Sequence, residues 1–209
     1  MLVAESAVIL DTRRKLLHAA GEIFADRGFH KATVRDITDR AGVNVAAINY
    51  HFRDKAELYR AVFNECQCSS HSVGEPVPPA DASPEERLRI YIDNFLHRLL
   101  NPKRPKWHGL LMAREMIEPT DALDMLVESS IRPRSQELLQ IITELTQGRL
   151  SDDRVWMLSF SVVSQCLFYL HDRPLIERLH PNLATNPPTI EQLVDHISAF
   201  SLAAIRAAQ

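Results

Sequence analysis

Between Asp11 and Phe63 the chain sets four runs of helix-spaced apolar residues in succession, and the second and third are parted only by Gly42-Val43-Asn44. In the first run Leu16, Ala20, Ile23 and Phe24 recur at i, i+4, i+7 and i+8, one face of a helix. Gly28 supplies the left-handed residue that ends it, with Phe29 as the usual apolar neighbour. Thr33-Val34-Arg35-Asp36 reads as a capping box, with Asp in place of the usual Glu, and Val34, Ile37 and Ala41 give the second helix its inward face. Gly42 permits the sharp turn and Val43 plugs the corner. Asn44 is an N-cap for a third helix, whose Ile48 and Phe52 point inward one turn apart. Asp54 caps a fourth helix carrying Leu58, Ala61 and Val62. A short helix, a glycine turn and a second short helix with small or polar outward residues is the form in which a protein enters the DNA major groove.

These residues closely resemble the DNA-binding domain of the TetR family of transcriptional regulators. The resemblance is carried by Ala20, Phe24, Gly28, Thr33, Ile37, Ala41-Gly42-Val43, Ile48, Tyr50-His51-Phe52, Lys55 and Leu58. It implies that Tyr50, His51 and Lys55 donate to phosphate. Thr33 stands at a helix N-terminus, where backbone N–H groups also favour phosphate. Arg35 faces the groove, suited to a bidentate contact with guanine. Asn44 opens the reading helix, and Val45, Ala46 and Ala47 bring methyl groups toward the bases. Asn49 stands where the family often has Tyr, as an adenine reader or as a phosphate donor, which leaves the operator sequence open.

Charge agrees with a reading head on an acidic body. Residues 1–60 balance at +2 and residues 61–209 at −5, for a net −3. That suits specific, salt-sensitive binding better than nonspecific coating of nucleic acid. The expected division is a helix-turn-helix domain over 1–60 and a larger helical effector-binding and dimerisation domain over 61–209, in an all-α fold. No run of eighteen apolar residues offers a membrane span, and Met1 to Leu10 lacks the basic start of a signal peptide. Three cysteines argue against a disulfide framework and for a reducing cytoplasm. Cys66 and Cys68 form a C-x-C pair, for which an ordinary helix end is the plainer reading than a metal or redox switch. Cys166 lies within an apolar helix as core. The nine histidines show no metal-ligand spacing, and neither metal nor cofactor is expected.

The stretch from Ser72 to Pro84, with Gly74, Pro76, Pro78 and Pro79, reads as a linker. Ser83-Pro84-Glu85-Glu86 then starts a helix bearing Leu88, Tyr91, Ile92, Phe95, Leu96 and Leu99. Asn101 to Pro105 breaks it, Lys106–Ile117 forms a short helix stopped by Glu118-Pro119, and a helical region runs from Thr120 to Gly148 with a kink at Pro133. Two helices follow, at about 152–171 and 189–207. Both are apolar over so much of their circumference that they must be covered on more than one side. The family resemblance implies that they pair with their twins in a homodimer, through Val155, Val163, Leu167, Leu170, Leu193, Ile197, Phe200 and Ala204. A two-fold regulator can then read two half-sites one DNA turn apart.

An effector pocket between helices is expected in the body. The segment from Trp107 to Thr120 resembles that of regulators with the CecR-type C-terminal domain. Trp107, Met112, Met116, Phe168 and Tyr169 are the candidates to line a pocket, and His108, Arg114, Glu115 and Gln165 to orient a small-molecule ligand. The alternative is that the Met and aromatic residues fill the core and that Arg114-Glu115 faces solvent or serves its own structural partner. Function then reads as a ligand-responsive transcriptional regulator, most often a repressor, working by population shift. A regulator gated by a protein partner is the alternative. A small helical hydrolase is remote, because no G-x-S-x-G elbow, H-E-x-x-H pair or glycine-rich phosphate loop is present.

Overall fold

Helix-forming segments fill the chain, each delimited by a local stop. The computed structural model describes residues 2–68 and 76–209, and within them the side chains of 2–8, 67, 68 and 184 are not described. The part of the expected linker at 72–75 and the Cys68 side chain therefore lie outside the described residues. Among those described, the elements are α1 (Leu2–Lys31), α2 (Val34–Ala41), α3 (Ala46–Phe52), α4 (Lys55–Cys68), α5 (Pro84–Leu99), α6 (Lys106–Ile117), α7 (Asp121–Leu126), a π-helical turn (Val127–Ile131), α8 (Arg132–Leu145), α9 (Asp152–His171), α10 (Arg173–Leu179), α11 (Pro181–Thr185) and α12 (Ile190–Ala207). No strand occurs among the described residues.

The boundaries have local causes. Gly28, at φ 75°, breaks the helical path of α1 three residues before its end. Thr33 and Asp36 close a reciprocal capping box on α2, and Ser83 and Glu86 close another on α5, with Pro84 in its first turn. Gly42, at φ 67°, is the left-handed cap of α2, and its N–H bonds to the carbonyls of Asp39 and Thr38. Asn44 Oδ1 accepts from the Ala46 N–H at 2.9 Å, and Asp54 Oδ1 from the Glu57 N–H at 2.8 Å. The expected kink at Pro133 takes the form of the π-helical turn just before it. Helices α10 and α11 were not expected from the sequence. Each has a Pro in its first turn, at 174 and 181, where proline's missing N–H costs nothing.

The chain forms two compact units. The first takes in residues up to 70 together with 103–128, and the second 71–102 and 129–209. In the first, Leu16, Ala20, Phe24, Ile37, Ile48 and Phe63 form one buried core with Trp107 and Leu111 of α6 and Leu126 of α7. The helix-turn-helix is thus packed in one unit with α6 and α7, well beyond residue 60. In the second, Leu88, Ile92 and Leu96 of α5 pack with Leu138 and Ile142 of α8, Val162 and Cys166 of α9, and Val194 and Ile197 of α12.

Candidate nucleic-acid interface

The turn at Gly42 leaves α3 with Ile48 and Phe52 buried and its opposite side open. On that open side Asn44, Val45, Ala46, Asn49 and Tyr50 are all exposed, Tyr50 to 71 %. Arg35, on α2, has a side chain 87 % exposed, held loosely beside Asp39 at 3.8 Å. Thr33 is exposed at the N-terminus of α2. The structure therefore brings eight of the ten sequence candidates to the surface or its edge: Thr33, Arg35, Asn44, Val45, Ala46, Asn49, Tyr50 and the half-buried His51. His51 meets Tyr50 edge to face at 4.9 Å. Burial, and then the positive charge of Arg13, hold its imidazole below the usual histidine range.

Two candidates sit differently. Ala47 is half-buried and packs against the core, so its methyl supports α3 from within. Lys55 Nζ donates to the carbonyls of Phe29 at 2.9 Å and Ala32 at 3.0 Å, and lies 4.5 Å from the centre of the Phe29 ring. An ammonium has three donors, so two are spent on tying α4 to the α1–α2 joint. Sequence reading missed two cations here. Arg13 of α1 lies over the Phe52 ring at 5.1 Å. Arg53 is exposed in the α3–α4 turn at φ 70°. Arg53 directly follows Tyr50-His51-Phe52, which is a signal that could have flagged it; nothing local in the sequence brings Arg13 to Phe52.

The ligand candidates divide between the two units. Trp107, His108, Met112, Arg114, Glu115 and Met116 belong to the first, and Gln165, Phe168 and Tyr169 to the second. Arg114 is engaged by structure: its guanidinium donates to the carbonyls of Ala25 at 3.2 Å and Asp26 at 3.0 Å, where α1 approaches its break at Gly28. Glu115 is fully buried. Its carboxylate accepts from Tyr59 Oη at 2.7 Å, the Thr120 N–H at 2.8 Å and Thr120 Oγ1 at 2.9 Å. Burial, and then this bond to Glu115, raise the Tyr59 phenol above its ordinary range. Met112 packs on the core and Met116 is 52 % exposed. Trp107 and His108 are buried and together border a cavity of about 680 Å³. Gln165 donates to Ser201 Oγ at 3.3 Å, Tyr169 packs on the second core, and Phe168 is exposed. Among the described residues no group of three or more His, Cys, Asp or Glu is placed to hold a metal ion, and no helix is long and apolar enough to cross a membrane.

Comparison with known proteins bears on both halves of the chain. Residues 16–62 match the family of bacterial regulatory proteins of the tetR type. Residues 84–205, more than half of the chain, match the C-terminal domain of the HTH-type transcriptional dual regulator CecR. The chain belongs to the TetR family. Its similarity to the CecR dual regulator of Shigella flexneri is 28 % identity over 171 residues, 75 % of this chain and 74 % of that protein. The HTH-type transcriptional activator FasR of Mycolicibacterium smegmatis is 50 % identical over 85 residues, a match spanning 41 % of this chain and only 39 % of that protein's length. A solved structure of HlyIIR, a hemolysin II transcriptional regulator, shares the fold at TM-score 0.61 and 21 % identity, covering 91 % of this chain and 98 % of that one.

The residues expected at a dimer interface lie on α9 and α12 of the second unit. Three of them, Val155, Leu193 and Ile197, are buried in the unit's own core, at 6 %, 5 % and 0 % exposure. Val163, Leu167 and Leu170 are half-buried, while Phe200 and Ala204 are exposed. The large apolar residues left open on these two helices are Met157, Phe160, Phe168 and Phe200. Met157, Phe160 and Phe168, with the exposed Ser164 between them, recur at helical spacing along α9.

Proposed function

We propose that this chain is a DNA-binding transcriptional repressor that reads a palindromic operator as a homodimer and is released from it by a small lipophilic or drug-like effector. The observation that carries the reading is the left-handed turn at Gly42. It buries Ile48 and Phe52 and leaves Asn44, Val45, Ala46, Asn49 and Tyr50 along one open side of α3. A helix of this kind places base-edge readers in the major groove while flanking donors hold the backbone. In this reading residues 1–60 are the reading head. Tyr50, His51, Thr33 and the remaining donor of Lys55 hold phosphates, and Arg35 and Asn49 meet base edges. The apolar residues exposed on α9 and α12 support a two-fold interface between second units, built on Met157, Phe160, Phe168 and Phe200 rather than on the buried residues between them. The relatives include an activator, a dual regulator and a repressor, and repression is proposed for this chain. The effector acts by favouring the conformation whose two heads are wrongly spaced, so operator affinity falls by the ratio of its affinities for the two states.

Selection of bound sequences from a random duplex pool tests this. A recovered palindrome with half-sites about one DNA turn apart is the expected result, and no enrichment at low salt overturns it. Transcription in vitro from a promoter carrying that palindrome then separates repression from activation.

A further inference from the structure

One cavity in the first unit is unlike the rest of its surface. It measures about 680 Å³ and opens between α1, the end of α4 and the start of α6. That volume lies within the span of small-molecule sites. Its apolar wall is Leu10 and Leu17 of α1 with Trp107 of α6. The back of the Trp107 ring rests on Gly21, where a Cβ would come within 2.4–2.6 Å of three ring atoms, so the bare backbone at 21 seats the indole. The indole Nε1–H on the other side is buried and has no acceptor among the described residues, although a buried indole N–H ordinarily finds one. Beside it His108, 3 % exposed, accepts at Nδ1 from Arg104 Nε at 3.3 Å, which leaves its proton on Nε2. Burial, the Arg104 charge and His18 lower its pKa to about 4, so the ring is neutral. The π faces are arranged edge to face, Trp107 to His108 at 4.1 Å and to His18 at 6.1 Å. Two guanidiniums, Arg13 and Arg14, and two carboxylates, Asp11 and Glu65, border the cavity, so no net charge selects an ion.

We propose that this cavity binds a small, flat, uncharged aromatic compound carrying an oxygen acceptor. The ring stacks among Trp107, His18 and the leucines, and the acceptor receives a hydrogen bond from His108 Nε2–H. The site lies inside the reading-head unit, against α1, whose other residues pack on α2, α3 and α4. Binding there stands on this geometry alone. Only its effect on the operator rests on the ligand-responsive reading above.

Equilibrium dialysis of the 209-residue chain against coumarin, with naphthalene as the same shape lacking an acceptor, tests the site. Saturable binding of one coumarin per chain is expected, at least about tenfold tighter than naphthalene. His18→Trp and Leu10→Trp, both at exposed lining positions, fill the cavity and are each expected to weaken binding about tenfold or more. Circular dichroism shows which of the two keeps the fold. Coumarin unbound at its solubility limit, bound no tighter than naphthalene, or bound equally by the folded variants overturns the proposal. Operator affinity measured in the same samples separates the two readings. Release from wild type and from His18→Trp alike places coumarin elsewhere and overturns this site while the effector reading stands. Binding that is His18-dependent but leaves operator affinity unchanged upholds the site and counts against the effector reading.

Discussion

The two units are both helical and hold themselves together in different ways. In the first, directional bonds join one helix to another. Arg114 of α6 caps carbonyls of α1, Glu115 gathers Tyr59 of α4 and Thr120, and Lys55 of α4 clasps the carbonyls at 29 and 32. In the second, α5, α8, α9 and α12 meet mainly through apolar packing, with the Gln165–Ser201 bond between α9 and α12, and their charged links, Arg87–Glu144, Arg89–Asp195 and Arg206–Glu85, lie toward the solvent. Apolar packing is non-directional, whereas a buried hydrogen bond holds an angle as well as a distance. A unit that must present α3 at a fixed attitude benefits from the first kind of bracing. A unit that has only to stay closed around its own core can rely on the second.

The sharpest break of that comparison is at the open side of the second unit. Phe160→Asp is expected to dissociate the dimer, weakening association by about a hundredfold or more through a desolvated charge, with helical content unchanged. Sedimentation velocity reads it, and a variant that remains dimeric removes α9 from the interface. Next comes the first unit's bracing. Glu115→Ala strands the Tyr59 hydroxyl and both Thr120 donors, for a loss of about 3 kcal/mol in urea unfolding. A loss no larger than that of an exposed Glu would show that directional bonding is not what holds this unit.

A pH series sharpens the same point. The pKa of His108 falls from 6.5 unfolded to about 4 folded, so burial of the neutral ring costs nothing above pH 6.5. Between pH 6.5 and about 4 the unfolded chain takes up a proton that the folded one refuses, and stability falls. Wild type should therefore lose on the order of 2 kcal/mol more than His108→Phe across that window, as read by urea midpoints. Parallel curves would mean that His108 is charged in the folded state. The smallest effect is expected at the second unit's rim. Arg87→Ala, which breaks a part-exposed ion pair with Glu144, should change stability by under about 1 kcal/mol and less in high salt.

Much of the fold was legible because its signals are local. The Thr33–Asp36 and Ser83–Glu86 boxes, the cap at Asp54 and the turn at Gly42 each need only residues within a few positions of one another and stand where the sequence puts them, while the cap position of α3 falls on Val45, with Asn44 Oδ1 bonding the Ala46 N–H just ahead of it. The bounds of α6 match the sequence reading, and those of α9 and α12 agree to within a residue. Helices α10 and α11, of 7 and 5 residues, are too short to show a helical period in the sequence, although each has a proline where it suits a first turn. The candidate site was legible as a set of outward residues on α2 and α3. The double engagement of Lys55 and the approach of Arg13 to Phe52 were not, since each depends on partners at least 23 residues away.

Sequence alone thus determined where helices start and stop, the helix-turn-helix and the family, because caps, periodicity and turn residues act over a few positions. Only the tertiary structure decided which apolar residues of α9 and α12 are spent inside the chain and which stay at its surface. A periodic apolar stripe looks the same in sequence whether its own chain or a twin covers it, and Val155 and Phe160 differ only in what lies above them. Likewise only the packing showed Arg114 and Glu115 as internal braces and Trp107, seated on Gly21, as the wall of a cavity. A side chain's partners across the core are set by the fold, not by its neighbours in the chain.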